Sequence, residues 1–186
     1  MYTANIADTV LFRAIGKDPN PYLRRLKRAV EAADTELWVP AAVYHELVDT
    51  GHTDSPINPY LDTAIEEGWL RVATPLPGTR GDDFVEGGDP VRNARVVADA
   101  WLTQQSTYPE TNNWRDATLV ALAVRLFEEN ARIRVVTHTA DKSLAEACAR
   151  MPPEFGYYEI RSRYYNPPRT AQTAFPTVDS LTWDSG

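Results

Sequence analysis

The chain has 186 residues, 43% of them hydrophobic, which is enough for one well-packed domain and short for two independent ones. Acidic residues number 26 against 19 lysines and arginines, and the net charge of -7 repels polyanions at long range, which argues against broad nonspecific nucleic-acid binding. Because Cys148 is the only cysteine, an internal disulfide is excluded, and no stretch is apolar enough for a membrane span or a secretory leader, so we expect a cytoplasmic location.

The first predicted element is a short buried strand that runs into a helix or a turn. Ile6 precedes Asp8, and the apolar run at 10–12 follows, so Asp8 falls at the exit of this strand. A helix then begins at Pro21, since proline is well tolerated in the first helical turn. The spacing of its apolar residues predicts an amphipathic helix with a basic outer face.

The next elements continue the alternation of strands and helices. Residues 37–39 predict a second strand, and the apolar residues after it predict a helix in which Glu46 lies two turns from the start. A further helix around Leu61 leads to a third strand at 69–74. The predicted order up to this point is therefore β-α-β-α-α-β.

A long connection and two helices follow the third strand. Residues 75–90 are rich in glycine, proline and acidic side chains, which predicts a mobile surface loop rather than a domain linker. A helix from Pro90 to about Gln105 comes next. In the helix after it, apolar positions cover much of the circumference, so we expect this helix to be central and buried. Asp116 lies in its first turn.

The last predicted strands are at 133–137 and 157–160. Thr139 and Asp141 follow the first of these, immediately before another helix. Beyond the last strand the sequence has no dependable period. We therefore assign residues 1–161 to the domain and expect residues 162–186 to form a C-terminal extension that packs on the domain or on a partner.

Strands separated by helices at this spacing predict an α/β fold with a mostly parallel sheet of about four to five strands and helices on both faces. Ligands of such sheets bind at the carboxyl ends of the strands, where Asp8 and Asp141 fall. Carboxylates gathered there repel one another unless a divalent ion such as Mg²⁺ or Mn²⁺ neutralises them. We therefore predict a metal site for phosphodiester chemistry, built by four residues that we call the acid cluster: Asp8, Glu46, Asp116 and Asp141.

The ordered motifs around these acids resemble those of the PIN domain family over roughly residues 2–160. The best-matched parts are Asp8-Thr9 after the first strand, Asp116-Ala117 at the start of a buried helix, and Thr139-x-Asp141 after a β-branched strand. The resemblance implies a metal-dependent endoribonuclease in which the acid cluster is catalytic and binds the metal, while Thr9 and Thr139 orient the acids by hydrogen bonds. Since many PIN domains are VapC-like toxins, it also implies a candidate antitoxin partner and a homodimer.

In this interpretation arginines hold the RNA, because a guanidinium group binds phosphate bidentately. The candidates are Arg24, Arg28, Arg115 and Arg161.

Two other functions are left open by the sequence. One is a PIN-like binding or scaffold module whose acid pocket is vestigial. The other is a metal-dependent phosphatase, although the chain lacks an obvious Asp-x-Asp nucleophile motif. A zinc protease is disfavoured, because His45 and Glu46 start an HExxH-like run that lacks the second histidine. We expect the histidines, including His138, to lie at the surface.

Overall fold

The computed structural model describes residues 2–15, 21–48, 61–106, 113–165 and 177–183. Within these ranges the strands are β1 (Tyr2–Ala7), β2 (Glu36–Val39), β3 (Leu70–Val72), β4 (Ile133–Thr139) and β5 (Ile160–Tyr164). The helices are α1 (Thr9–Ile15), α2 (Pro21–Ala32), α3 (Ala41–Val48), α4 (Leu61–Glu66), α5 (Pro90–Gln105), α6 (Asn113–Glu129), α7 (Lys142–Glu154) and α8 (Val178–Leu181). No helix in the described ranges has the length and apolarity needed to cross a membrane.

The five strands form one sheet in the order β3-β2-β1-β4-β5, and every neighbouring pair is parallel. This arrangement confirms the predicted α/β fold. From β1 the chain builds the sheet outward through β2 to β3, and from β4 it builds in the other direction to β5. The connections that leave β1 and β4 therefore diverge to opposite faces of the sheet, and ligands of parallel α/β sheets bind in the crevice that such a divergence forms at the carboxyl ends of the two strands.

One face of the sheet packs against α5, α6 and α7. Ala4, Ile6 and Val135 point to this face and are fully buried, as the alternation of side chains along a strand requires. Helix α6 is buried at every position from Ala117 to Val124, which agrees with the predicted central helix. Because α6 leads through a short turn into the amino end of β4, its first turn lies at the carboxyl edge of the sheet.

The opposite face of the sheet is covered by helices from the first half of the chain and by the C-terminal segment. Ala7, Leu37 and Val39 point to this side and pack with apolar residues of α1, α2, α3 and α4. Leu181 of α8 is fully buried in the same cluster. The C-terminal segment is thus part of the core on this face.

The strand predicted at 157–160 lies at Ile160–Tyr164 in the structure, because Tyr157 forms part of the C-terminal cap of α7. Gly156 has a φ of 89°, and the backbone N–H of Tyr157 donates to the carbonyl of Pro152 at 3.0 Å, which is the pairing of a Schellman motif. The strand can begin only after this cap, at Ile160, and it continues through an alternation of arginine and serine to Tyr164. Such charged residues suit a strand at the edge of a sheet.

Strand β5 therefore crosses position 161, where the sequence placed the end of the domain. The expected extension is in part a strand and in part the helix α8, which begins with a capping box at Thr177. Arg161 donates to the carbonyl of Trp183 at 3.0 Å, and its guanidinium carbon lies 4.1 Å from the centroid of the Trp183 ring. Of the predicted extension, residues 166–176 and 184–186 lie outside the described residues.

The connection between β3 and α5, predicted as a mobile loop, is held in place by side chains of α5. Asp82 pairs with Arg92 at 3.1 Å, and Asn93 exchanges two hydrogen bonds with the backbone of Val85. Arg95 is buried and its Nη1 lies 3.4 Å from each of three successive carbonyl oxygens at 76–78. The glycines and prolines permit the turns of this loop, and the contacts with α5 fix them.

Candidate active site

The carboxylate of Asp8 is buried where β1 ends and α1 begins. The residue is only 4% exposed, and the backbone N–H of Leu11 donates to Oδ1 at 2.9 Å, as at the start of a helix. The backbone N–H of Asp8 donates to the carbonyl of His138 at 3.3 Å. This bond ties the exit of β1 to the neighbouring strand β4 at the crevice.

Thr139 links Asp8 to Asp141 across the crevice. This threonine is fully buried at the end of β4; its hydroxyl donates to Oδ2 of Asp8 and accepts from the backbone N–H of Asp141 at 2.9 Å. Asp141 is the N-cap of α7, where its Oδ1 accepts from the backbone N–H of Leu144 at 2.9 Å. One hydroxyl group therefore fixes the relative position of the segments that carry these two acids.

Glu46 is positioned by two partners that come from different helices. The hydroxyl of Thr9 on α1 donates to Oε2 of Glu46 at 3.0 Å. Nη1 of Arg115 on α6 lies 3.5 Å from the same oxygen. Helix α3 thereby presents this carboxylate toward the beginnings of both α1 and α6.

Asp116 lies in the first turn of α6 and remains accessible to solvent. Its pKa is raised to about 7, first by desolvation and then by the negative charges of Asp141, Asp8 and Glu46, while Arg115 acts in the opposite direction. The three other acids therefore lie within electrostatic range of Asp116. Solvent screens the repulsion at this exposed position.

Burial dominates the electrostatics of Asp8. Desolvation raises the pKa of Asp8 to about 6, hydrogen bonds from Thr139 and Leu11 lower it, and the charge of Asp141 raises it again. The negative charges of the cluster also act on Cys148, which is fully buried on α7. Burial raises the pKa of its thiol to about 12, and the charges of Asp8 and Asp116 raise it further. Negative charge therefore accumulates at this edge of the sheet in the protein alone.

Among the described residues, no three histidine, cysteine, aspartate or glutamate side chains stand close enough together to hold a metal ion. The acid cluster is thus not a closed ligand shell: the three other acids repel the charge of Asp116, and Asp141 repels the charge of Asp8. Its donor chemistry still fits a hard divalent cation, since each member supplies carboxylate oxygens and a counter-charge would relieve the repulsion. The residues present suit Mg²⁺ or Mn²⁺ better than zinc, which favours histidine and cysteine.

The predicted substrate arginines lie in different places. Arg115 contacts the acid cluster through Glu46. Arg24 and Arg28 are exposed on α2, which packs on the face of the sheet opposite to α6. Arg161 is engaged with Trp183 of the C-terminal segment, as described above. Arg115 is therefore the candidate with a direct contact to the acids.

Sequence reasoning missed a buried polar group directly behind the site. His138 was expected at the surface, but it is fully buried in β4, because this residue of a central parallel strand points into the covered face of the sheet. Its Nε2 lies 2.7 Å from Oδ1 of Asn5, and its Nδ1 lies 2.7 Å from the hydroxyl of Tyr165. Burial, with a smaller effect of Arg163, lowers the pKa of His138 to about 3, so the ring is neutral. The neutral ring thus connects β4 by hydrogen bonds to β1 and to Tyr165, the residue after β5.

A second missed feature supports the start of α6. The guanidinium of the buried Arg95 lies 3.9 Å from the centroid of the Trp114 ring, in the geometry of a cation–π contact. Trp114 directly precedes Arg115 and Asp116, so this stack positions the turn that carries them. No sequence signal links Arg95 to Trp114, because the contact depends on how α5 packs against α6.

A comparison with known families finds a match that covers most of the chain. Residues 1–172 match the family model described as "Halobacterial PIN domain". No curated protein matches the chain. The matched region includes the whole acid cluster, both threonines that contact it, and all five strands.

Proposed function

The chain belongs to the PIN domain family, and on that premise we propose that it is a Mg²⁺- or Mn²⁺-dependent endoribonuclease. PIN domains are generally nucleases and typically use divalent metals. The observation that supports the proposal is the electrostatic repulsion between Asp116 and the three other members of the acid cluster. The four carboxylates come from four separate segments, and three of them raise the pKa of the fourth, Asp116.

The proposed metal ligands are Asp8, Glu46, Asp116 and Asp141, some of them through water. A divalent ion bound there would lower the pKa of a water molecule and stabilise negative charge on the leaving oxygen. Thr139 holds Asp8 and the segment of Asp141 in register, and Thr9 directs Oε2 of Glu46. The hydroxyls of both threonines thus limit the freedom of the acids before any ion arrives, which reduces the entropic cost of binding.

RNA is the proposed substrate, although the net charge of -7 opposes its approach at long range. A locally positive group beside the acids is then needed to hold a phosphate. Arg115 is the proposed group, since it contacts Glu46 while 43% of its side chain remains exposed. A toxin activity restrained by an antitoxin is a narrower form of the same proposal, and growth arrest on expression, relieved by the product of an adjacent gene, would test it.

The direct test is cleavage of a labelled RNA by the purified chain with Mg²⁺, with Mn²⁺ and with EDTA. We expect cleavage only with metal, and we expect Asp116→Asn to lower the rate about 100-fold or more, because a proposed ligand of the ion that would stabilise charge in the transition state is lost. Asp83→Asn is the matched control, since it removes an equal charge from an exposed position in the loop before α5. RNA left intact by metal-loaded wild-type protein would refute the nuclease.

Two further outcomes distinguish the alternatives. A folded protein that binds no Mn²⁺ in calorimetry and cleaves no RNA would favour a binding or scaffold module. Release of phosphate from a small phosphomonoester, with RNA untouched, would favour a phosphatase.

A further inference from the structure

Arg115 and the proposed metal ion would use the same carboxylate oxygen. Nη1 of Arg115 lies 3.5 Å from Oε2 of Glu46, and Thr9 already donates to this oxygen at 3.0 Å. Among the contacts of the described residues, this oxygen has a neutral donor, Thr9, and a cation, Arg115, beside it. An ion that is coordinated by this oxygen must displace the guanidinium or share the oxygen with it.

The position of Arg115 in the chain gives it a second effect on the site. It is adjacent to Asp116 in the first turn of α6 and contacts Glu46, so its positive charge lies beside two of the four acids. The guanidinium thus partly neutralises the acid cluster in the protein alone. A divalent cation that enters the cluster would experience repulsion from it.

We propose that Arg115 is a built-in counter-ion of Glu46 that competes with the divalent ion and, once displaced, binds a phosphate of the RNA. This inference rests on the proposed nuclease function and adds a regulatory step to it. The side chain of Arg115 is 43% exposed, whereas that of Glu46 is 21% exposed. The arginine is therefore the partner with room to turn outward. A planar guanidinium released next to a metal-bound phosphodiester can bind phosphate oxygens bidentately.

The proposal predicts opposite effects of one substitution on two ligands. In Arg115→Gln the competing charge is absent, so the affinity for Mn²⁺ should rise about twofold to fivefold, which is the range expected for loss of an exposed ion pair. The same variant should bind RNA more weakly, with KM raised about tenfold, because a charge-assisted contact to phosphate is lost. Arg115→Lys keeps the positive charge and should retain wild-type Mn²⁺ affinity while RNA binding is partly lost.

The experiment is calorimetric titration of metal-free protein with Mn²⁺ at fixed ionic strength, followed by steady-state RNA cleavage. Arg132→Gln is the matched control, because it removes the same charge from an exposed residue just before β4. This residue lies at the amino ends of the strands, away from the acid cluster at their carboxyl ends. Its Mn²⁺ affinity and KM should equal those of the wild type.

The outcomes separate this inference from the proposed function. If the wild-type protein binds no Mn²⁺, the proposed function itself fails. If the wild type binds Mn²⁺ and Arg115→Gln binds it equally or more weakly, the function survives and the competition between arginine and metal is refuted. If Mn²⁺ binding tightens but KM is unchanged, the transfer of Arg115 to phosphate is refuted.

Discussion

Asp8→Asn should remove a pH-dependent loss of stability from the metal-free protein. The carboxyl of Asp8 has its pKa raised to about 6 in the folded protein, from an ordinary value of 3.8. The folded state therefore binds more protons than the unfolded state between these values, so the stabilisation is complete below pH 3.8 and is lost as pH rises through 6. The difference between the two pKa values corresponds to about 3 kcal/mol, of which about 2 kcal/mol falls between pH 4.5 and pH 8.

The assay is urea denaturation of both proteins in EDTA at constant ionic strength, from pH 4.5 to pH 8. Asparagine keeps the size of the side chain but supplies one oxygen, so part of the contact with Thr139 or Leu11 is lost by an amount that does not vary with pH. The informative quantity is the slope: the free energy of unfolding of the wild type should fall by about 2 kcal/mol relative to Asp8→Asn over this range. Parallel curves for the two proteins would refute the assignment of a raised pKa to Asp8, and Asp83→Asn should run parallel to the wild type.

Three further predictions concern the surroundings of the site. Thr139→Val should lower RNA cleavage about tenfold to a hundredfold with the fold retained, because the hydroxyl that orients Asp8 is lost; unchanged rates would show that the bond is dispensable. Asn5→Ala should cost about 2–4 kcal/mol in urea denaturation, since it leaves Nε2 of the buried His138 without its hydrogen-bond partner and opens a cavity. Cys148 should react with a thiol reagent only after unfolding, because it is fully buried with its pKa raised to about 12; rapid labelling of native protein would contradict the packing of α7.

The sequence was most informative where a physical rule acts locally. The sequence predicted a helix from Pro90 to about Gln105, and α5 spans these residues with proline in its first turn. The β-branched run before Thr139 predicted β4, and the alternation of strands and helices predicted a mostly parallel sheet, although not the order of its strands. The positions of Asp8 and Asp141 after strands followed from the same reasoning.

What the sequence did not reveal depends on contacts between distant segments. The pairing of Arg115 with Glu46 and the stacking of Arg95 on Trp114 arise where helices meet, and periodicity gives only the face of a helix. His138 was misplaced because a polar residue in a buried strand is satisfied by partners as remote as Asn5. The start of β5 was misjudged because a helix cap took up residues with high strand propensity.

The most direct test of the metal site is anomalous scattering from crystals soaked in Mn²⁺. We expect an anomalous difference peak in the crevice between the ends of β1 and β4, within coordination distance of oxygens from the acid cluster, and no such peak in Asp116→Asn crystals. A wild-type crystal with no peak in the crevice, or with Mn²⁺ bound only elsewhere on the molecule, would contradict the claim that these four acids form a metal-dependent active site.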